Sequence, residues 1–202
     1  MKKFSEFISF LCHPLIMPIA GVVIYFLTTP KFNSLDVQKR LFLSILILTI
    51  LIPIVFFFLL KNVGFIKSLE LNEIKERKLP ILIYIIINII IALRIINEDF
   101  SIELHYYFVG IIGTLVGCLA LSFLNFKVSL HMTGISALMF FVVGLAFHYQ
   151  KNLTLWISIL MFAMGATASA RLYLKAHNNS EIWLGFFLGG FTQIIAFNYW
   201  LL

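Results

Sequence analysis

Three short stretches of this chain gather residue types that could act on a phosphate group. The last of them reads ARLYLKAHNNSEIW and holds Arg171, Lys175, His177 and Glu181 around an Asn-Asn-Ser turn. Asn178, Asn179 and Ser180 are turn and capping residues, so the spacing predicts His177 just ahead of a last helix and Glu181 in its first turn. A carboxylate four residues beyond a histidine can hydrogen-bond one ring nitrogen and leave the other as a nucleophile. Arg171, ending the preceding apolar run, offers a planar fork suited to phosphate oxygens. A solvated interfacial loop with two cations and a capping Glu accounts for the same residues.

The second stretch, FKVSLHMTG, places Lys127, Ser129 and His131 at the start of another apolar run. Ser129 is expected near that helix's N-cap, where unpaired N–H groups and the helix dipole attract an anion. The bland alternative is an ordinary capped helix with a snorkelling Lys and an interfacial His. The third stretch, GFIKSLELNEIKERKLP, sets Lys67, Lys75, Arg77 and Lys78 against Glu70, Glu73 and Glu76, ahead of Pro80 at a helix start. Mixed charge of this kind is the pattern of an amphipathic surface segment. Arg77 is the best functional candidate of this stretch because it lies close to the membrane boundary.

The elements that must position these residues are set by composition. Of 202 residues 61% are hydrophobic and 12% charged, with a mean hydropathy of +1.02. A water-soluble domain carries roughly a quarter charged residues, so most of this surface must face lipid. Segments near the ~20-residue length of a membrane helix run roughly over 8–28, 41–60, 79–96, 104–126, 130–148, 153–170 and 182–202. Backbone groups in such runs must be satisfied within their own segment, which predicts an all-α polytopic transmembrane bundle of about seven helices. One domain is expected over 1–202. The first helix should bend or break near Pro14 and Pro18, each of which removes a backbone donor. Its MKKFSEF start resembles a signal peptide but lacks a small-residue cleavage pattern, so it is expected to stay as an anchor.

With seven crossings, the loops near 61–80, 126–131 and 171–181 share one side with the N-terminus. The net charge of +6 resides in short loops, which favours membrane lipids and phosphate over nucleic acid as partners. Cys12 and Cys118, both inside apolar runs, form no disulfide framework.

Together the three stretches resemble the type 2 phosphatidic acid phosphatase (PAP2) superfamily, related to the vanadium haloperoxidases. Its patterns are K-x6-R-P, P-S-G-H and S-R-x5-H-x3-D. The last stretch matches the third pattern at Arg171, His177 and the acid position, here Glu181, with Ala170 in place of Ser. VSLH matches the second at Ser129 and His131, with Val128 and Leu130 in place of Pro and Gly. The first is the poorest: with Arg77 as its Arg, Glu70 stands where Lys belongs and Lys78 where Pro belongs. The resemblance covers roughly 60–202, while FLCHPLIMP near the N-terminus also has the look of a divergent bacterial membrane branch.

The resemblance implies a lipid-phosphate phosphatase working without metal or cofactor. His177 would form a phosphohistidine, Glu181 would orient it, and His131 would protonate the leaving group. Lys127, Ser129, Arg171 and Arg77 would hold the phosphoryl oxygens. Orientation is pulled two ways. The site side carries about ten Lys and Arg against about five opposite, which positive-inside reasoning assigns to the cytoplasm. Half of those cations are the expected phosphate ligands or their neighbours, and the resemblance implies a bacterial inner membrane with the site toward the outer leaflet.

Other polar residues read more simply. His13 is a packed polar residue or part of a lipid entrance, and His105 and His148 are interfacial side chains at the opposite face. Arg94 snorkels or pairs with Glu98 and Asp99, and Asn88 bonds another helix. Two rival functions remain: a catalytically inactive lipid-phosphate-binding or transport-related membrane protein, and an intramembrane serine protease built on Gly134-Ile135-Ser136-Ala137.

Overall fold

The computed structural model describes residues 1–67, 71, 73–96 and 100–201. Glu70, Glu98 and Asp99 lie outside the described residues. Among the described residues the regular structure is helical: α1 Lys2–Leu11, α2 Met17–Thr28, α3 Leu35–Asn62, α4 Ile74–Ile95, α5 Ile102–Phe123, α6 Leu130–Tyr149, α7 Thr154–Tyr173 and α8 Asn179–Phe197. The six helices α3 to α8 are long and apolar enough to cross a membrane, and α2 is a shorter apolar helix. The chain is a multi-pass membrane protein.

The expected first span is two helices. The backbone leaves α1 after Leu11 and re-enters a helix at Met17, because Pro14 disfavours helical geometry at His13 and supplies no N–H of its own. Pro18 sits in the first turn of α2, where a missing donor costs nothing. A second difference concerns α4. It begins at Ile74, so Pro80 lies inside the helix and Glu76 and Arg77 are already helical and buried.

Two helices carry a π turn, Ile47–Leu51 in α3 and Ile91–Ile95 in α4. The second is stitched from outside: His105 Nδ1 donates to the carbonyls of Ala92 (3.1 Å) and Ile96 (2.9 Å). His105 is therefore a bonded residue as well as an interfacial one.

Helix α6 is the most enclosed span and α3 the most lipid-exposed. With no hydrophobic drive between helices in lipid, close packing and hydrogen bonds must hold the bundle. Small residues supply the first. A Cβ on Gly185 of α8 would lie 2.9 Å from Ser129 O and 3.0 Å from Met132 Cβ, so only glycine admits α6 there. Hydrogen bonds supply the second: Ser136 Oγ donates to Phe186 O (2.7 Å), Tyr107 Oη to Met17 O (2.9 Å) and Gln193 Nε2 to Tyr107 O (3.1 Å).

The end of the bundle formed by the starts of α5 and α3 is tied by one buried carboxylate. Glu103 accepts from Lys31 Nζ (2.7 Å), Tyr149 Oη (2.7 Å) and Ser101 Oγ (2.9 Å), with His148 Nε2 at 3.3 Å. Lys151 Nζ donates to Thr28 O (2.7 Å) and Thr29 Oγ1 to Tyr149 Oη (3.1 Å), fixing the end of α2 to α6. Since α2 starts beside the opposite end of α6, it completes a seventh passage through the bundle.

Candidate functional site

At the other end, three polar contacts draw the three sequence stretches together. Arg77, one turn into α4, donates from Nη1 to Val128 O (2.7 Å) and from Nε to Leu71 O (2.8 Å). Lys127 Nζ donates to Ala176 O (2.9 Å), and Ser129 N–H donates to Glu181 O (3.2 Å). The loop before α6 is thus held by α4 on one side and by the start of α8 on the other. The close approach at Gly185 makes the second attachment possible.

The start of α8 is built as its sequence predicts. Asn178 is the N-cap and its side-chain oxygen accepts from Glu181 N–H (2.9 Å). That cap sets Glu181 in the first turn, where Oε2 lies 2.5 Å from His177 Nδ1. A carboxylate can only accept in such a pair when ionised, so Nδ1 carries the proton and Nε2 keeps its lone pair. Burial, reinforced by the charges of Arg77, Lys127 and Arg171, lowers the His177 pKa to about 3. At neutral pH the imidazole is uncharged and nucleophilic.

A cavity of about 310 Å³ opens at this place. Arg77, Arg171, His131 and His177 line it, and so do Glu6, Ser9 and His13 from the N-terminal segment. Deeper in, its wall is Tyr84, Tyr107, Ile111 and Ala137. From His131 to Ala137 the cavity follows α6 for roughly 9 Å toward the middle of the bundle. A charged rim therefore leads into an apolar interior.

Four of the seven candidates border the cavity and three do not. Ser129 is fully buried, and its hydroxyl accepts from Met132 N–H (3.5 Å) as the N-cap of α6. Lys127 lies behind His177; burial pulls its pKa below the usual range, with Arg77 adding to the effect. Glu181 holds His177 from outside. Electrostatically the site is lopsided: Arg77, Arg171 and Lys127 stand against Glu181 and an exposed Glu6, and both guanidinium groups are buried. Concentrated positive charge in a low-dielectric site attracts an anion strongly.

His131 Nε2 lies 3.1 Å from Ser9 O. A carbonyl only accepts, so Nε2 carries a proton and Nδ1 is the remaining position. Its ring meets that of His13 edge to face, with centroids 5.4 Å apart. His13 was not among the candidate ligands. The available signal was its position at a helix break next to Pro14, which sends a side chain out of helical register. Ser136, the serine of the protease-like run, is buried in the α6–α8 seam and outside the cavity lining. No protein-family model, no curated protein and no solved structure matches the chain.

Proposed function

We propose that this chain is a phosphatase for membrane lipid phosphates, hydrolysing a phosphomonoester or diphosphate headgroup through a phosphohistidine at His177. The observation that carries this reading is the neutral His177, held at Nδ1 by Glu181 and lining a cationic cavity with an apolar interior. A transferring phosphoryl group needs little more than an aligned nucleophile and fixed positive charge.

In this reading the lipid chain occupies the apolar depth and the headgroup meets Arg77 and Arg171. The Nε2 lone pair of His177 forms the N–P bond while the bond from phosphorus to the lipid oxygen breaks. His131, protonated at Nδ1 by a headgroup that binds as its monoanion, gives that proton to the leaving oxygen. Water then attacks phosphorus, returns a proton to His131, and releases inorganic phosphate as the N–P bond breaks. Positive charge building on the His177 ring is balanced by Glu181. Lys127 and Ser129 serve by holding the loop and the helix start rather than by touching phosphate.

The resemblance of the three motifs to the PAP2 superfamily supports the same chemistry, with a bacterial inner membrane as the setting and the site toward the outer leaflet. A single cysteine placed at Ser180 tests the last point: labelling only after permeabilisation of cells overturns it.

The function is tested by phosphate release in detergent from a panel of lipid phosphates, with vanadate as inhibitor. Wild-type release that disappears in His177→Ala and survives EDTA is the expected result. Saturable lipid-phosphate binding without release, in wild type and variant alike, overturns turnover in favour of a binding protein. Loss of activity on EDTA treatment overturns the histidine mechanism.

A further inference from the structure

We infer that His13 is a substrate-contacting residue, whose Nε2–H donates a hydrogen bond to the phosphoryl group of a lipid phosphate held beside His131. The inference rests on the phosphatase reading of the site and adds to it a residue outside the three sequence stretches.

The tautomer follows from geometry. Leu15 N–H donates to His13 Nδ1 at 3.3 Å, so Nδ1 offers a lone pair and a neutral ring carries its proton on Nε2. Burial, with a contribution from Arg171, lowers the His13 pKa to about 4, which keeps the ring neutral at physiological pH. Among the described residues Nε2 has no hydrogen-bond partner. The ring borders the cavity and stands edge to face with His131 at an interplanar angle of 81°.

The placement has a cause in the sequence. Pro14 breaks the helix and frees His13 from helical register. Gly134, one turn beyond His131 on the same face of α6, lets this broken segment lie against the helix. A Cβ there would stand 3.4 Å from Pro14 Cα and 3.1 Å from Met17 Cγ. His13 and His131 are thus brought to one wall by a proline on one element and a glycine on the other.

The chemistry needs such a donor. Arg77 and Arg171 bring charge, while His131 spends Nε2–H on Ser9 O. A neutral N–H aimed at a developing oxyanion adds a bond in the transition state without adding another buried cation.

The test compares His13→Ala, His13→Asn and His13→Gln in the full-length protein. Glutamine sets an amide N–H near the position of Nε2, whereas asparagine reaches only as far as Nδ1. Phosphate release is read as kcat and KM, orthovanadate inhibition as a turnover-independent probe of the phosphoryl pocket, and thermal unfolding in detergent as the fold control. The expected result is a loss of about 10–100-fold in kcat/KM for Ala and Asn, the size of one bond to a charged group. Vanadate inhibition weakens in parallel, and Gln recovers most of both. Wild-type turnover with His13→Ala within threefold of it overturns this inference and leaves the phosphatase reading standing. So does a Gln variant no better than Ala, or activity losses that simply track unfolding. Absence of wild-type turnover on every lipid phosphate overturns the phosphatase reading, and this inference with it.

Discussion

Replacing Glu181 by Gln probes the proposed mechanism at the point where its geometry is tightest. The glutamine side chain fits the same space, and the backbone cap between Asn178 and residue 181 is untouched because it uses the main-chain N–H (2.9 Å). What changes is the 2.5 Å contact to His177 Nδ1, which turns from a charge-assisted bond into a neutral one. In the transition state the ring gains positive charge as Nε2 bonds to phosphorus, so the missing anion costs about 2 kcal/mol. That corresponds to roughly a 30-fold fall in kcat. An amide can also turn its NH₂ toward Nδ1 and force the proton onto Nε2, which removes the nucleophile and deepens the loss toward about 10⁴-fold. KM should stay close to wild type, because Glu181 does not border the cavity. Phosphate release at saturating lipid phosphate gives kcat, and rapid-quench capture of the acid-labile phosphoenzyme reports the first step alone. A variant whose kcat stays within threefold of wild type, or whose defect lies in KM alone, refutes the assignment of Glu181 as the partner of the nucleophile.

Other consequences can be measured separately. Gly185→Ala forces α8 from α6 at Ser129 O, costing about 1–3 kcal/mol in unfolding measurements, and should lower kcat at least tenfold by displacing His177. Glu103→Gln removes a buried carboxylate with four partners; unfolding in detergent should show a loss of about 1.5–3 kcal/mol. Phosphate release should be unchanged, since that cluster lies at the far end of α5. Acidification is a third test. His177 and His13 have folded values near 3 and 4 against an unfolded 6.5, so the unfolded chain binds more protons in that window. Stability should therefore fall as pH drops from 6.5 toward 3 and be flat above 6.5. Melting temperatures across pH check this, and a His13→Gln, His177→Asn double variant with an equally steep slope would contradict it.

How much of this was legible in the sequence varies with the physics behind each element. Long apolar runs revealed α3 to α8, because a span in lipid has to satisfy its own backbone and nothing else fits twenty such residues. The Asn178 cap and the i, i+4 spacing of His177 and Glu181 were also readable, since both are set within one turn of helix. Contacts across the bundle were not. Arg77 was the least certain ligand because its charged surroundings suggested a surface segment. Only the early start of α4 buries it and aims it at Val128 O. Ser129 and Lys127 read as phosphate ligands by type, yet their polar atoms are bonded to the α6 N-terminus and to Ala176 O. His13 was set aside because a helix break determines where a side chain goes only once the partner, here Gly134, is known. Glu103 was missed altogether, as one acidic residue at a helix start gives no sign of four partners converging on it.

The brevity of α2 has a consequence for the lipid around the protein. Twelve residues of helix span about 18 Å, against roughly 30 Å of hydrocarbon. The far end of α2 is fixed by Thr28 and Thr29, so the shortfall falls on the side where α1 and the His13–Pro14 break lie. Hydrophobic mismatch of this kind is relieved by local thinning of the bilayer. Lipid that follows α2 and α1 would then bring its headgroups nearer the level of His131 than it does beside the longer spans. On the proposed phosphatase reading, a lipid phosphate in that leaflet would have a shorter way to the cavity beside His13 and His131.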